Sequence, residues 1–169
     1  MVSLAFDFFL ELKKEQNSNL PLVLPKNIKI TAETKKDINI NKFFYRQIGR
    51  DHFWRDRLLW PDKEWKKYID NKNLKTGVMT LDNDLVGFYE QEFHYDKNEV
   101  ELIQMGILRR YQGRKLGSFL LKYIIQNVFR YNVERLWVHT CSLDHKFALN
   151  NYLSKGLKIF KEEEIDFIL

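Results

Sequence analysis

Met105-Gly106-Ile107-Leu108-Arg109-Arg110-Tyr111-Gln112-Gly113-Arg114-Lys115-Leu116-Gly117-Ser118 joins two segments that differ in periodicity. The run from Glu99 to Leu108 has strand character. After Gly117, Leu120, Leu121, Ile124, Ile125 and Val128 recur every three or four residues with Lys122, Gln126 and Arg130 opposite them, which predicts an amphipathic helix. A strand that passes through a glycine-containing loop into a helix offers unpaired backbone N–H groups at the positive end of a helix dipole, worth about half an elementary charge. Arg114 and Lys115 add cations there, and Gly113 and Gly117 let backbone approach a ligand without a Cβ in the way. On this evidence alone the loop is either a cradle for a pyrophosphate or an ordinary strand-to-helix turn with solvated basic residues.

Working outward, Leu74 to Leu81 and Leu85 to Phe93 are strand-like runs separated by Asp82-Asn83-Asp84, turn chemistry that closes a hairpin. With Glu99 to Leu108, entered through a loop at Tyr95 to Asn98, they predict an antiparallel meander. Upstream, Val2 to Leu12 reads as a strand, Lys13 to Pro25 as a loop, and Ile40, Phe43, Phe44 and Ile48 as the buried stripe of a helix over Ile38 to Phe53. A second short helix follows Pro61, with Asp62 as its cap and Trp65, Tyr68 and Ile69 inward. Downstream, Arg135 to Thr140 reads as a strand, and Asp144 is expected to cap a helix reaching Lys155. Gly156 supplies the left-handed stop, and Leu157 to Leu169 is strand material. The expected fold is α+β: one domain over residues 1–169, a mostly antiparallel sheet of six or seven strands, and about four helices.

The 169 residues are 44% hydrophobic and 15% aromatic, with seven glycines and three prolines, the composition of one globular core with room for a cleft. Every long apolar stretch is interrupted, by Asp7 or by Lys122, Gln126 and Asn127, so no membrane span is expected. No secretion signal is visible, and Cys141 is the only cysteine, so the expected location is cytoplasmic. A formal charge of +5 favours anionic partners in general. Nucleic acid is disfavoured among them, because the aromatic residues are not interleaved with the basic ones as a stacking surface requires.

The segment Gln112-Gly113-Arg114-Lys115-Leu116-Gly117 resembles motif A of the GNAT superfamily of acyl-CoA-dependent N-acetyltransferases, Arg/Gln-x-x-Gly-x-Gly/Ala. Gln112 stands in its first place and Gly117 in its last. Ala148, Tyr152 and Gly156, four residues apart, resemble motif B, and the order of elements is similar too. Three residues depart from the pattern: Lys115 occupies the place of the first motif glycine, Arg109 stands where a proline is common, and His145 stands where motif B often has Asn. The runs Phe53 to Arg57 and Trp137 to His145 resemble small stand-alone bacterial members of the superfamily.

The resemblance implies acetyl-CoA as cosubstrate, an amine as acceptor, no metal, and a monomer or homodimer. It implies a sheet splayed between the third meander strand and Arg135 to Thr140, with the pantetheine arm in the gap beside Met105, Gly106 and Ile107. The pyrophosphate would lie on Gln112, Gly113, Arg114, Lys115, Leu116, Gly117 and Ser118, with His145 and Ala148 also touching the cofactor. Tyr152, at the family's tyrosine position, is the expected general acid. Glu101, six residues before Ile107, is the first choice of general base, ahead of Glu90, Glu92, His94 and His139. Trp54 and Trp60 are candidates for the acceptor pocket, while Trp65 reads as core and Cys141 as a small packed side chain. The competing reading is a non-catalytic acyl-CoA sensor, which the lysine at 115 would permit.

Overall fold

The computed structural model describes residues 2–18, 21–31 and 36–168. Seven strands form one sheet in the order β2-β3-β4-β5-β6-β1-β7. They are β1 (Val2–Lys13), β2 (Ile28–Ile30), β3 (Leu74–Leu81), β4 (Asp84–His94), β5 (Glu99–Ile107), β6 (Arg135–Cys141) and β7 (Lys158–Ile168). All neighbours are antiparallel except β5 and β6. Among the described residues four α-helices accompany them: α1 (Ile38–Gly49), α2 (Asp62–Ile69), α3 (Leu116–Val128) and α4 (Ala148–Leu153). The expected α+β architecture is thus observed, with one short strand, β2, added where no periodicity announced it. A three-residue strand is too brief to show alternation. The last strand is single, with a bulge opposite Phe9/Leu10, and Leu169 lies outside the described residues.

The hairpin between β3 and β4 closes through Asp82 and Asn83, both left-handed at φ 51° and 70°, the turn whose twist matches that of paired strands. Helix α1 is capped by Asp37, whose carboxylate accepts from the Asn39 N–H at 2.9 Å. It ends at Gly49, four residues short of the expected Phe53. Helix α2 starts at Asp62 itself, with Pro61 in the cap position, so Asp62 contributes first-turn charge and an ion pair with Lys42 instead of a cap. Helix α4 is shorter than expected at its N-terminus. Asp144 does not cap it; its carboxylate accepts from Thr140 Oγ1 at 2.7 Å and the Cys141 N–H at 3.1 Å, folding the chain back just after β6. Gly156 ends the turn after α4 at φ 90°, as expected.

Helix α3 buries Leu116, Leu120, Leu121, Ile124, Ile125 and Val128 against one face of the sheet. Helix α1 lies on the other face, with Phe44 stacked on Phe88 of β4 at 4.9 Å and Ile48 over Gly106 of β5. Gly106 must lack a side chain here, because a Cβ would sit 2.7 Å from Ile48 Cγ2.

A buried polar cluster fixes α1, α2 and the chain between them to β4. Glu90, fully buried, accepts from Asn41 Nδ2 at 2.6 Å, Arg57 Nη1 at 2.9 Å and the Tyr68 hydroxyl at 2.7 Å. Burial disfavours the Arg57 charge, but the adjacent Glu90 carboxylate more than offsets this, and the guanidinium is held above its ordinary value. Burial together with the Glu90 charge pushes the Tyr68 phenol up, so it stays a donor. Removing one member leaves the others desolvated and unpaired. Glu90→Ala is therefore expected to lower folding stability by about 3–5 kcal/mol, read as a reduced midpoint in urea unfolding followed by circular dichroism.

Candidate active site

The site begins with a register shift. Glu90 pairs with Gln104 but Gln91 pairs with Leu102, so Ile103 is an extra residue bulged out of β5. On its other side β5 runs parallel to β6 through Glu99↔Arg135, Val100↔Leu136, Glu101↔Trp137 and Leu102↔Val138, and the pairing ends there. From Gln104 to Ile107, β5 stays bonded to β4 while β6 turns toward β1, whose pairing runs to Asp7↔Cys141. The two strands part, and a cavity of about 920 Å³ opens between them.

One end of the cavity is the loop into α3. The first intrahelical bonds are made by the Ser118 and Phe119 N–H groups, each 3.1 Å from the Lys115 carbonyl, so the N–H groups of Leu116 and Gly117 precede the ladder. Gly113 is left-handed at φ 78°, and Lys115 is left-handed as well at φ 61°. The place of the missing glycine thus keeps a backbone conformation that favours glycine, now carried by a lysine. Gln112 steadies the loop by donating from Nε2 to the Ile107 carbonyl at 3.2 Å, and Asn151 of α4 donates to the Gly117 carbonyl at 3.3 Å. Phosphate oxygens fit such an end, because N–H donors ahead of the helix ladder and a cation converge where little side-chain bulk intervenes.

The other end meets the open face of the sheet. Glu101 projects there half-buried, 3.5 Å from His94 Nε2; burial raises its carboxyl above the ordinary range, and the bond to His94 opposes that in part. Asp7, of β1, also lines the cavity and pairs with His139 at 3.1 Å. Tyr152 of α4 lines the same cavity and is nearly fully buried. Burial, and secondarily Asp144, pushes its phenol well above the usual range, so the hydroxyl stays protonated. Among the described residues none accepts or donates a hydrogen bond at that hydroxyl. Gln104 Oε1 is likewise buried at the cavity wall without a donor. Across the mouth, Trp54 Nε1 donates to Asp144 at 3.3 Å, and the His52 and His145 rings meet edge to face at 5.7 Å.

Of the residues singled out in the sequence, Glu101, Met105, Gly106, Ile107, Gln112, Gly113, Lys115, Leu116, Gly117, Ser118, His145, Ala148 and Tyr152 all line this one cavity. Arg114 does not; its guanidinium lies 5.5 Å from the Tyr111 ring. Glu90 is taken up by three donors in the core, which leaves it no part as a base. His139 and Trp54 line the cavity, whereas Trp60 packs on Trp65 and Tyr68 outside it. Trp65 is core, as read. Glu92, His94 and Glu101 present ligand atoms within 4.8 Å of one another, a donor set able to hold a cation. Asp7 and Gln104 had no sequence signal, since neither lies in a motif and β1 reaches the site only through long-range pairing.

A family model described as the acetyltransferase (GNAT) family matches residues 41–156. The chain belongs to that family. The matched span runs from α1 to the glycine after α4 and includes the loop, Glu101 and Tyr152. Among solved structures, a GCN5-related N-acetyltransferase from Sphaerobacter thermophilus superposes with a TM-score of 0.71 at 11% identity, over 96% of this chain and 52% of that one. This GNAT chain thus spans about half the length of that relative. An aminoglycoside acetyltransferase from an uncultured soil metagenomic sample gives 0.62 at 19% identity, over 77% of this chain and 88% of the other. The ribosomal-protein-S18-alanine N-acetyltransferase from Escherichia coli gives 0.59 at 17%, over 76% of each. At these identities the likeness is one of fold. No curated protein sequence matches the chain significantly.

The left-handed lysine yields a prediction. A Cβ in this conformation costs about 1–2 kcal/mol, and the Lys115 backbone carries it. Lys115→Gly is expected to raise stability by about 1 kcal/mol, less than the full strain because glycine also frees the unfolded chain. The measurement is the urea midpoint at unchanged m-value.

Proposed function

We propose that this chain is an N-acetyltransferase that moves the acetyl group of acetyl-CoA onto a primary amine by direct attack. The observation that carries the reading is the parting of β5 from β6, which gives Glu101 and Tyr152 a common cavity ending at the loop into α3. The loop N–H groups and Lys115 would hold the pyrophosphate. The free backbone edge of Met105, Gly106 and Ile107 would pair with the amide-bearing arm.

The acceptor arrives as an ammonium and must lose a proton before it can attack, since an unperturbed amine of this type has a pKa near ~10. Glu101 takes that proton; its raised carboxyl pKa makes it a better base than an exposed glutamate. The neutral nitrogen attacks the thioester carbonyl, the N–C bond forms, and the C–S bond breaks. The departing sulfur takes the hydrogen bond, and then the proton, of the Tyr152 hydroxyl, and the second proton that the acylated nitrogen sheds to become an amide passes through solvent to restore the phenol. A phenol pushed up by burial is a donor at every working pH. A non-catalytic acyl-CoA sensor would keep the same left-handed loop at Lys115, and turnover separates it from the transferase.

The names of two structural relatives, one for aminoglycosides and one for a protein alanine, agree on an amine and on nothing narrower. The test is thiol release from acetyl-CoA over a panel of amines. No release above hydrolysis with any amine, in protein shown to bind acetyl-CoA, would overturn the reading.

Two variants test the roles. In the wild type, kcat/KM should rise with pH through the Glu101 ionisation, at a value above the ordinary carboxylate range. Glu101→Gln should lower the rate and abolish that acid limb, so an unchanged limb would remove Glu101 as the base. Tyr152→Phe keeps the ring, and it should lower kcat by about 10²–10⁴-fold with acetyl-CoA affinity near normal. Lost affinity with kcat intact would make Tyr152 a binding residue instead.

A further inference from the structure

The face of the sheet that carries Glu101 can be followed strand by strand, because directly paired residues project to the same side. Glu101 pairs with Glu92 on β4 and with Trp137 on β6, and Trp137 pairs with Glu11 on β1. Two residues further on, His139 pairs with Phe9, and Phe9 with Lys161; beyond them Cys141 pairs with Asp7, and Asp7 with Glu163. The Phe9 ring stacks on His139 at 4.9 Å and lies under Lys161 Nζ at 4.8 Å, in agreement with a shared face. On its β6–β1–β7 part Phe9 and Trp137 are half-buried and His139 is exposed.

This face carries an excess of carboxylates in a protein whose formal charge is +5, although Lys13, opposite Arg135, and Lys158, opposite Glu11, project to it as well. Arg135 answers Glu11 at 2.6 Å and Glu99 at 2.8 Å, and Lys161 answers Glu163 at 2.6 Å. Among the described residues, Asp7, Glu92 and Glu101 have no lysine or arginine as partner. Asp7 has His139, Glu101 has His94, and Glu92 has the Asn71 amide at 2.7 Å. Glu92 and Glu101 stand directly opposite each other, an arrangement that is unfavourable unless positive charge comes between them. Two of the three, Asp7 and Glu101, line the cavity from opposite sides of the parting, and Gln104 adds a buried acceptor oxygen without a donor.

We infer that the acceptor is a linear polyamine: while one nitrogen reacts beside Glu101, at least one further ammonium group is held by Asp7 or by Glu92. This rests on the acetyltransferase reading and narrows it. Asp7 and Glu101 are two strands apart and their registers differ by four residues, which separates their backbones by roughly 15 Å before the side chains reach inward. Charged nitrogens spread over ~10 Å therefore fit better than a short diamine does. A polycation would also be steered to this end by the local field, while the basic loop attracts the anionic cosubstrate to the other.

The experiment compares spermine with n-hexylamine, both by thiol release with acetyl-CoA and by calorimetric binding in its absence. Spermine should have a kcat/KM about tenfold or more above that of hexylamine at low salt, and the advantage should shrink as NaCl is raised. Asp7→Asn and Glu92→Gln should each raise KM for spermine more than for hexylamine, and each should weaken spermine binding. Equal use of the two amines overturns the polyamine inference and leaves the transferase standing. No turnover with any amine overturns the transferase reading. In that case salt-sensitive spermine binding that Asp7→Asn weakens still supports the acidic subsite, and no such binding overturns it. Turnover of spermine that EDTA abolishes would assign the Glu92, His94 and Glu101 cluster to a metal ion and overturn the ammonium assignment there.

Discussion

Once Leu102 has paired with Val138, β5 and β6 share no further rung, and most of what is distinctive in this structure depends on that break. The extra residue at Ile103 alters the twist of β5 where the parallel pairing stops. A sheet that stayed closed would have buried the backbone of Met105 to Ile107 in a ladder and left no cavity. Because it opens, one edge of β5 is free for a ligand. Glu101, still on a closed rung, stands at the shoulder of the gap with one side toward solvent.

Two kinds of polar interaction then shape the gap. The Glu90–Arg57–Tyr68–Asn41 cluster is fully enclosed and fixes the α1–α2 segment to β4 on the closed side, which is why residues 52–54 can overhang the cavity without losing their position. The interactions in the gap itself are half-open and under-compensated: imidazole against carboxylate, a phenol and an amide oxygen with no partner among the described residues. The first set is satisfied within the fold, and the second is open to a ligand. The excess of positive charge over the chain as a whole hides a division of sign, basic at the loop into α3 and acidic on the sheet face.

Much of this was legible in the sequence. The change from period two to period three-four around Gly113 and Gly117 marked the loop, and the spacing of Ala148, Tyr152 and Gly156 marked the helix that faces it. The meander was visible because Asp82 and Asn83 are residues that accept left-handed backbone. What stayed hidden depends on pairing between distant segments. Asp7 reads as an interruption in an apolar run until β1 is seen between β6 and β7. Glu90 reads as a candidate base until Arg57 is found beside it. Asp144 looks like a helix cap, yet it bonds backward to Thr140 and Cys141, and a sequence gives no sign of the direction in which an aspartate turns.

The position of β1 has a consequence for biosynthesis. Its residues leave the ribosome ahead of both their partners: the first rung with β6 joins Lys13 to Arg135, and β7 follows later still. Until then a strand bearing Leu4, Phe6, Phe8, Leu10 and Leu12 has no edge to join, although the β3–β4–β5 meander can already close on itself. Pairing at such separation is slow and leaves apolar surface exposed in the nascent chain. The wall of the cleft that carries Asp7 therefore waits for β6 and β7, and a truncated or stalled chain would hold the loop into α3 without a complete wall opposite it.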